Sequence, residues 1–290
     1  MKLLITGARG FLGSRSADVL EGRGHEVLRL SRPEGAVRAA DGEQIVLLDA
    51  GDSAAQELVR DCDAVLHFAG VPDPARSRAD PAWAVRQNAG TTLNLLEGCL
   101  EHGSGLVYPS SVRAALEPPP DPYAASKRLG EETCRFHAAR ATVLRLTSVY
   151  GPGQVAWEGA TGAIAAFAAR ALEGEPIVID GDPERTRDFV FVDDVVAAIE
   201  SLLAAGRWND TVTVATGRST PLRAAAELVR SAAGSSSPIE TPGGDLPPGE
   251  NESYEGATDT PIGFTPLEEG IRAYVDWLAS HPAAEGRARA

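Results

Sequence analysis

A tyrosine and a lysine four residues apart are the pair in this chain best suited to moving a proton. Tyr123 and Lys127 open a predicted helix in the segment Tyr-Ala-Ala-Ser-Lys, and residues four apart share one helical face. A free phenol titrates near pH 10, and a nearby positive charge lowers that pKa. We therefore expect Tyr123 to exchange a proton with a substrate hydroxyl and Lys127 to lower the pKa of the phenol. The alternative is an ordinary amphipathic helix start.

Two serines precede this pair at the end of a predicted strand. Ser110 and Ser111 follow the apolar run Leu106–Tyr108, and ligands of parallel α/β sheets collect at the carboxyl ends of strands. Ser111 is predicted to position the substrate oxygen and to share its proton with Tyr123, whereas Ser110 is expected to satisfy backbone groups.

A glycine-rich loop lies between the first predicted strand and the first predicted helix. A helix N-terminus offers free N–H groups and a favourable dipole to an anion, and glycines let a pyrophosphate approach the backbone. The loop therefore predicts dinucleotide binding, with a purely structural turn as the alternative. The expected contacts are Gly7, Arg9, Gly10, Phe11, Leu12 and Gly13.

The end of the second predicted strand bears on which dinucleotide binds. A carboxylate is expected there if the ribose 2′-hydroxyl is free, but the sequence has Ser31 and Arg32. A hydroxyl and a guanidinium can donate hydrogen bonds to a 2′-phosphate, and Arg9 can join them. We therefore expect NADP to be preferred over NAD, the alternative being that Arg32 is simply solvated.

The elements that must position these residues alternate strand and helix, which predicts a Rossmann-type, doubly wound parallel α/β sheet. Residues 1–150 are expected to form this dinucleotide-binding domain, together with segments that return to it from about 175–215. Residues 151–290 are expected to form mostly a small C-terminal substrate lobe. The predicted strands are Leu3–Thr6, Val27–Leu30, Ile45–Leu48, Ala64–Phe68, Leu106–Tyr108 and Thr142–Leu146. The predicted helices are Phe11–Arg23, Ser53–Arg60, Pro81–His102, Tyr123–Arg140 and Pro266–Ala279.

Composition limits the class of protein. The net charge of −14 over 290 residues argues against a nucleic-acid surface, because such surfaces neutralise phosphates with basic residues. The three cysteines are far apart and fit neither a disulfide framework nor a metal site. The sequence has no apolar run of about 18 residues and no cleavable leader. We therefore expect a cytoplasmic protein that acts on a small molecule, without a metal, a nucleic acid or a membrane.

Further motifs resemble those of the extended short-chain dehydrogenase/reductases, also called the NAD(P)-dependent epimerase/dehydratase family. The resemblance runs from Lys2 to about Ala198 and includes the glycine loop and the serine, tyrosine and lysine already described. The additional matching segments are Asp63–Gly70, Asn88–Leu96, Val149–Gly153 and Arg187–Asp194.

This resemblance implies roles for residues that the spacing alone does not assign. Asp49 and Ala50 would meet the adenine, Ala69 and Gly70 would line the cofactor, and Asn88 would support the site. It also implies a homodimer formed through the two long helices before and after the predicted serine strand. Elution as a monomer at micromolar concentration would contradict that dimer.

Four residues bear on the identity of the substrate. Val112 and Arg113 stand where the family's dehydratases carry an acidic pair, which disfavours dehydration. Ser148 replaces an asparagine that helps to hold phosphates in nucleotide-sugar members. Arg187 matches a position that often holds a diphosphate, the alternative being a salt bridge to a carboxylate such as Asp188 or Asp193. Ser148 and Arg187 are thus the expected substrate-binding residues.

The residues and the resemblance together imply an NAD(P)-dependent oxidoreductase or epimerase. It would transfer hydride at a carbinol or keto carbon of a sugar-like substrate, with nucleotide sugars among the candidates. Two alternatives remain at this point. One is an NADPH-dependent ketoreductase acting on a secondary metabolite that carries no nucleotide, and the other is a non-catalytic dinucleotide-binding regulator.

Overall fold

The computed structural model describes residues 1–33, 45–158, 162–247, 249–250, 252–285 and 287. The chain divides into two compact units. The first comprises Met1–Leu146 and Val196–Thr213, and the second comprises Thr147–Val195 and Val214–Ala290. Among the described residues, no helix combines the length and the apolar character that crossing a bilayer requires.

The described residues contain short strands and helices in alternation. The strands are β1 (Lys2–Thr6), β2 (Glu26–Ser31), β3 (Ile45–Leu47), β4 (Ala64–His67), β5 (Gly105–Ser111), β6 (Arg140–Leu146), β7 (Ser148–Tyr150), β8 (Ile177–Asp180), β9 (Thr186–Phe191), β10 (Asp210–Val214), β11 (Ser219–Pro221) and β12 (Ile239–Gly243). The α-helices are α1 (Phe11–Gly22), α2 (Ala54–Glu57), α3 (Pro74–Ala79), α4 (Pro81–Val85), α5 (Thr91–His102), α6 (Pro122–Phe136), α7 (Ala163–Glu173), α8 (Val192–Ala204), α9 (Leu222–Ala232) and α10 (Leu267–Ser280).

The first unit is built on a seven-stranded sheet with the order β10-β6-β5-β4-β1-β2-β3. The pairings among β1 to β6 are parallel. Every residue of β4 and β5 is buried, because helices cover both faces of such a sheet. In this sheet β1 lies between β2 and β4, so the chain adds β2 and β3 on one side of β1 and β4 to β6 on the other. Open α/β sheets bind ligands at such a switch point. The predicted Rossmann-type fold is therefore confirmed.

Three element boundaries differ from the prediction in ways that matter for the site. Strand β5 continues through Pro109 to Ser111 and pairs with β6 over its whole length. Helix α6 ends at Phe136 because the chain turns extended at His137 and enters β6. The single helix predicted over Pro81–His102 is helical throughout but contains a π-turn at Arg86–Gly90.

The second unit contains two small sheets, with the orders β11-β9-β7 and β12-β8. Its core is a cluster of buried side chains from β7, β9 and the helices α7, α9 and α10, including Tyr150, Phe191, Val229 and Tyr274. The predicted terminal helix is confirmed as α10, which buries Ile271, Tyr274, Val275 and Leu278. The amphipathic spacing of its apolar residues explains this docking.

Candidate functional site

The glycine loop leaves no space for side chains at Gly7 and Gly13. Gly7 has a φ of +65°, and a Cβ there would lie 2.7 Å from the amide nitrogen of Ala69. A Cβ on Gly13 would lie 2.2 Å from the carbonyl oxygen of Gly7. Gly10 caps α1 without a side chain, and the first turn of α1 contains no acidic residue. The N–H groups of this turn, from Phe11 onward, therefore fit the pyrophosphate of a dinucleotide.

A buried histidine ties the strand before this loop to neighbouring elements. The Nδ1 atom of His67 lies 2.7 Å from Thr6 Oγ1, and its Nε2 atom lies 3.1 Å from Thr91 Oγ1. Thr91 donates its own proton to the carbonyl of Gln87 at 2.6 Å, so Nε2 donates to Thr91 and Nδ1 accepts from Thr6. Burial lowers the pKa of His67 to about 3, so this residue is neutral. Thr6 Oγ1 also accepts the N–H of Ala69, which fixes the loop that follows β4.

The predicted serine and tyrosine meet at the end of β5. Ser111 is the last residue of β5, and Tyr123 lies in the first turn of α6. Burial raises the pKa of Tyr123 above its ordinary value, while the charge of Arg113 and a hydrogen bond with Ser111 act in the opposite direction. A phenol hydrogen-bonded to an alcohol can pass a proton to or from a substrate oxygen that binds between them.

Lys127 is buried beneath this pair and faces the backbone. Its Nζ atom donates to the carbonyl of Pro109 at 2.8 Å and would lie 3.8 Å from a Cβ on Gly70. Burial lowers the pKa of Lys127 to about 8, and the charge of Glu131 opposes this shift. In this structure the positive charge that lowers the pKa of Tyr123 belongs to Arg113, a residue that the sequence analysis considered only as a departure from the dehydratases.

Ser110 has a different partner from the one expected. Its hydroxyl donates to Glu131 Oε1 at 2.5 Å, and the same carboxylate pairs with Arg145 at 2.6 Å. Glu131 is only 2% exposed, and its hydrogen bonds offset part of the cost of burying the charge. Ser110 thus stabilises a buried ion pair between α6 and β6 rather than the backbone.

Asn88 lies in the π-turn and joins two parts of the site. Its Oδ1 atom accepts the N–H of Val71 at 2.8 Å, and its Nδ2 atom donates to Ser126 Oγ at 2.8 Å. Ser126 in turn donates to the carbonyl of Tyr123 at 2.7 Å. Because of these bonds, Asn88 holds the segment after Gly70 against the first turn of α6, as a supporting residue would.

An open cleft of about 550 Å³ lies at the expected adenine side of the first unit, lined by Asp49, Gly51, Asp52, Arg86, Gln87, Gly90 and Thr91. Asp49 accepts the N–H of Gly51 at 2.8 Å, and Ala50 is buried. Arg32 reaches the cleft wall, where its Nη1 atom lies 3.4 Å from Gln87 Oε1. Arg86 and Gln87, which line this cleft, were not predicted from the sequence, although they directly precede the matching segment that begins at Asn88.

The two predicted substrate residues lie in the second unit, on adjacent strands. Ser148 begins β7 and pairs with Phe189 of β9. Arg187 on β9 donates to the carbonyls of Thr186 at 2.8 Å, Glu252 at 2.5 Å and Glu250 at 3.0 Å. Asp188 does not pair with Arg187 but accepts three bonds from Thr216 and Gly217. Arg187 therefore fastens the segment around residue 250 to β9.

This fold, with a glycine loop at the switch point and a Ser/Tyr/Lys set at the end of β5, defines a class of dinucleotide-dependent enzyme. The chain belongs to the NAD dependent epimerase/dehydratase family, whose sequence model matches residues 3–215. The resemblance seen in the sequence is thereby confirmed. Membership of the family also makes the chain an enzyme, so the alternative of a non-catalytic regulator is set aside.

Individual relatives match almost the whole chain. A putative UDP-glucose 4-epimerase of Methanocaldococcus jannaschii is 28% identical, with 96% of this chain and 99% of the relative covered. The UDP-glucose 4-epimerase of Mycolicibacterium smegmatis is 30% identical over 77% of this chain and 80% of its own length. The crystal structure of the Thermus thermophilus UDP-glucose 4-epimerase in complex with NAD is 29% identical and superposes with a TM-score of 0.80, covering 97% and 99% of the two chains.

Proposed function

We propose that this protein is an NAD(P)-dependent oxidoreductase or epimerase acting at a carbinol or keto carbon of a nucleotide sugar. One observation supports this most strongly, a continuous line of contacts through the first unit. Gly7 packs on Ala69, Gly70 neighbours the ammonium of Lys127, and Ser111 is among the groups that lower the pKa of Tyr123. Phosphate-binding backbone and proton-transfer side chains thus belong to one rigidly connected site.

The chain's own residues have distinct tasks in this proposal. A bound nicotinamide dinucleotide supplies the hydride acceptor and donor. The N–H groups at the start of α1 hold its pyrophosphate, and the ammonium of Lys127 is placed to hydrogen-bond ribose hydroxyls. Tyr123 takes the proton of the substrate hydroxyl or returns it, and Ser111 orients the substrate oxygen toward the phenol.

Nucleotide sugars are supported as the substrate class by relatives that match 72% or more of this chain. The names of those relatives include UDP-glucose 4-epimerase and dTDP-4-dehydro-6-deoxy-D-allose reductase, the latter matching 72% of this chain. Family members of both kinds act at a sugar carbon that interchanges between alcohol and ketone. This chemistry needs the Tyr123 and Ser111 pair and does not require an acidic pair at positions 112 and 113.

The test of this function is product analysis with UDP- and dTDP-hexoses in the presence of either dinucleotide. A 4-epimerase converts one C4 epimer into the other with no net change in dinucleotide absorbance at equilibrium. A reductase instead consumes reduced dinucleotide in proportion to the ketone supplied. Neither epimer nor redox change across the panel, from a folded protein that binds dinucleotide, would contradict the proposal.

The second candidate, a ketoreductase acting on a substrate without a nucleotide, is supported by two features of the second unit. Ser148 stands in place of the phosphate-holding asparagine, and the Arg187 guanidinium bonds three main-chain carbonyls. Both features weaken a diphosphate site. Turnover of simple ketones with no turnover of nucleotide sugars would favour this candidate.

We also propose that NADP is preferred over NAD. The arginines near the adenine cleft support this preference. Arg32 extends from the end of β2 to Gln87, and Arg86 lines the same cleft. The Nε atom of Arg9 is buried and finds no hydrogen-bond partner among the described residues. A 2′-phosphate would accept bonds from such donors. Residues 34–44, which follow Arg32 and Pro33 in the chain, lie outside the described residues.

Replacing Arg32 by alanine is expected to weaken NADP binding by about 10- to 100-fold and to leave NAD binding unchanged, since one charge-assisted hydrogen bond contributes about 1.5–3 kcal/mol. Titration of both dinucleotides by intrinsic fluorescence measures this. Arg60→Ala is the matched control, because Arg60 pairs only locally with Glu57 on the surface. Equal NADP affinity in wild type and Arg32→Ala would end the idea of NADP preference.

The homodimer, the substrate lobe and the cytoplasmic location also remain proposals. The dimer is supported by exposed apolar side chains seven residues apart on the two helices named for it. Leu93 and Leu100 on α5 are 44% and 52% exposed, and Leu129 and Phe136 on α6 are 48% and 81% exposed. Apolar residues at this spacing form one stripe on a helix. Such stripes are costly to leave in water and suit a partner helix.

A further inference from the structure

We propose that Arg113 is a positioning residue that holds the phenol of Tyr123 in place and supplies its permanent positive charge. This inference rests on the proposed role of Tyr123 in proton transfer. Arg113 lies in a short 3₁₀ turn, Val112–Ala115, that leaves the end of β5. The sequence offers no hint of this role, since the residue is separated from Tyr123 by ten positions and a proline-rich loop.

Arg113 contacts both Ser111 and Tyr123. Its backbone N–H donates to Ser111 Oγ at 3.2 Å, which orients the serine hydroxyl. Its guanidinium carbon lies 5.9 Å from the centre of the Tyr123 ring, within the distance at which a cation is attracted to an aromatic face. One residue thus contacts both members of the proposed proton-transfer pair.

Arg113 also anchors the helix that carries Tyr123. The guanidinium of Arg113 forms a hydrogen-bonded ion pair with Asp121, whose side chain is only 2% exposed. Asp121 is the N-cap of α6, and its Oδ1 atom accepts the N–H of Ala124 at 2.8 Å. A cap fixes where a helix begins. Arg113 therefore anchors the first turn of α6, and with it Tyr123, to the end of β5.

Two cationic side chains, Lys127 and Arg113, belong to the site of the phenol, and they differ in what they face. Lys127 points its ammonium at the carbonyl of Pro109, and burial lowers its pKa to about 8. An arginine stays protonated at every pH at which proteins are folded. The groups that act on Tyr123 are the Arg113 charge, which favours phenolate, the Asp121 charge, which disfavours it, and the Ser111 hydroxyl. Arg113 acts more strongly than Asp121, so the ion pair as a whole favours phenolate.

The test measures the ionisation of Tyr123 itself in the dinucleotide-loaded protein. The ultraviolet absorbance of phenolate is followed against pH, and the curve of Tyr123→Phe is subtracted. Arg113→Gln is expected to raise the pKa of the phenol by about one unit, since a nearby opposite charge shifts a pKa by about 1–3 units. Arg113→Lys, which keeps the charge, is expected to recover most of that shift. The pH at which kcat rises should move upward together with the phenol.

Two further variants keep the result decisive. Asp121→Asn retains helix capping and removes the negative charge, so it is expected to lower the phenol pKa, opposite in sign to Arg113→Gln. Arg135→Gln is the matched control, because Arg135 lies on α6 but pairs with Glu132 on the exposed side of the helix. It is expected to leave the phenol pKa unchanged.

Each outcome decides the proposal. A lower melting temperature in Arg113→Gln with an unshifted phenol would reduce Arg113 to a structural role and overturn it. If Arg113→Gln does not fold, the proposal is decided by the direction in which Arg113→Lys and Asp121→Asn shift the pKa of the Tyr123 phenol. Should Tyr123→Phe retain full turnover, the proposed function fails, but the phenol titration still answers whether Arg113 supplies its charge.

Discussion

Tyr123→Phe is expected to lower kcat about 10³-fold while dinucleotide affinity stays at the wild-type value. The variant removes only the hydroxyl that accepts or returns the substrate proton, and a positioned acid/base contributes about 10²–10⁴-fold. The ring that packs beside Arg113 remains, so the fold of the site is preserved. Initial rates of epimer or ketone formation, measured beside a fluorescence titration of the dinucleotide, separate the two effects.

Tyr274→Phe is the control for losing a tyrosine hydroxyl elsewhere. This hydroxyl donates to the carbonyl of Gln154 at 2.6 Å within the second unit, so its loss is expected to cost about 1 kcal/mol of stability without a comparable loss of kcat. Wild-type kcat in Tyr123→Phe would remove Tyr123 from the chemistry. A loss of dinucleotide binding in that variant would instead assign it a binding role.

Gly13→Ala is expected to weaken dinucleotide binding at least about 100-fold, which corresponds to about 2.8 kcal/mol. A methyl group there would lie 2.2 Å from the carbonyl oxygen of Gly7 and 2.7 Å from its carbon. Both atoms are backbone, so the loop itself must move. That displacement takes the N–H groups of α1 away from the pyrophosphate. Isothermal titration with NAD and NADP measures the loss.

Gly22→Ala is the matched control in the same helix. A Cβ on Gly22 meets no atom within 4 Å, and alanine favours helix over glycine by up to about 1 kcal/mol. This variant should bind dinucleotide as the wild type does and be equally or slightly more stable. Equal binding by Gly13→Ala would show that the pyrophosphate lies elsewhere.

The sequence was sufficient to predict the first unit because its signals are local. Apolar runs such as Leu3–Thr6 gave the strands, and the glycine loop gave the crossing from β1 to α1. The boundary at Ser111 was placed less well, since Pro109 and two serines do not read as strand. Their pairing with β6 is a tertiary effect that overrides local propensity.

The sequence names candidate residues for the site, but it does not reveal the electrostatics of these residues in the fold. The spacing of Tyr123 and Lys127 correctly indicates one helical face, yet it cannot reveal that the lysine is drawn to a carbonyl of β5. The roles of Arg113 and of Glu131 depend on side chains that approach from other elements. Arg187 likewise shows a positive charge engaged by backbone oxygens, which no pattern of neighbouring residues foretells.

The π-turn at Arg86–Gly90 has a consequence for how this helical run is oriented. A π-turn holds about one residue more than an α-turn, and each residue advances an α-helix by about 100°. The wide turn therefore rotates the residues that follow it, relative to those before it, by roughly the angle of one residue. Asn88 lies inside this wide turn and is buried, with its amide bonded to Val71 and Ser126. The turn thus presents a polar side chain to the site between two α-helical segments that bury Ala84 and Leu95.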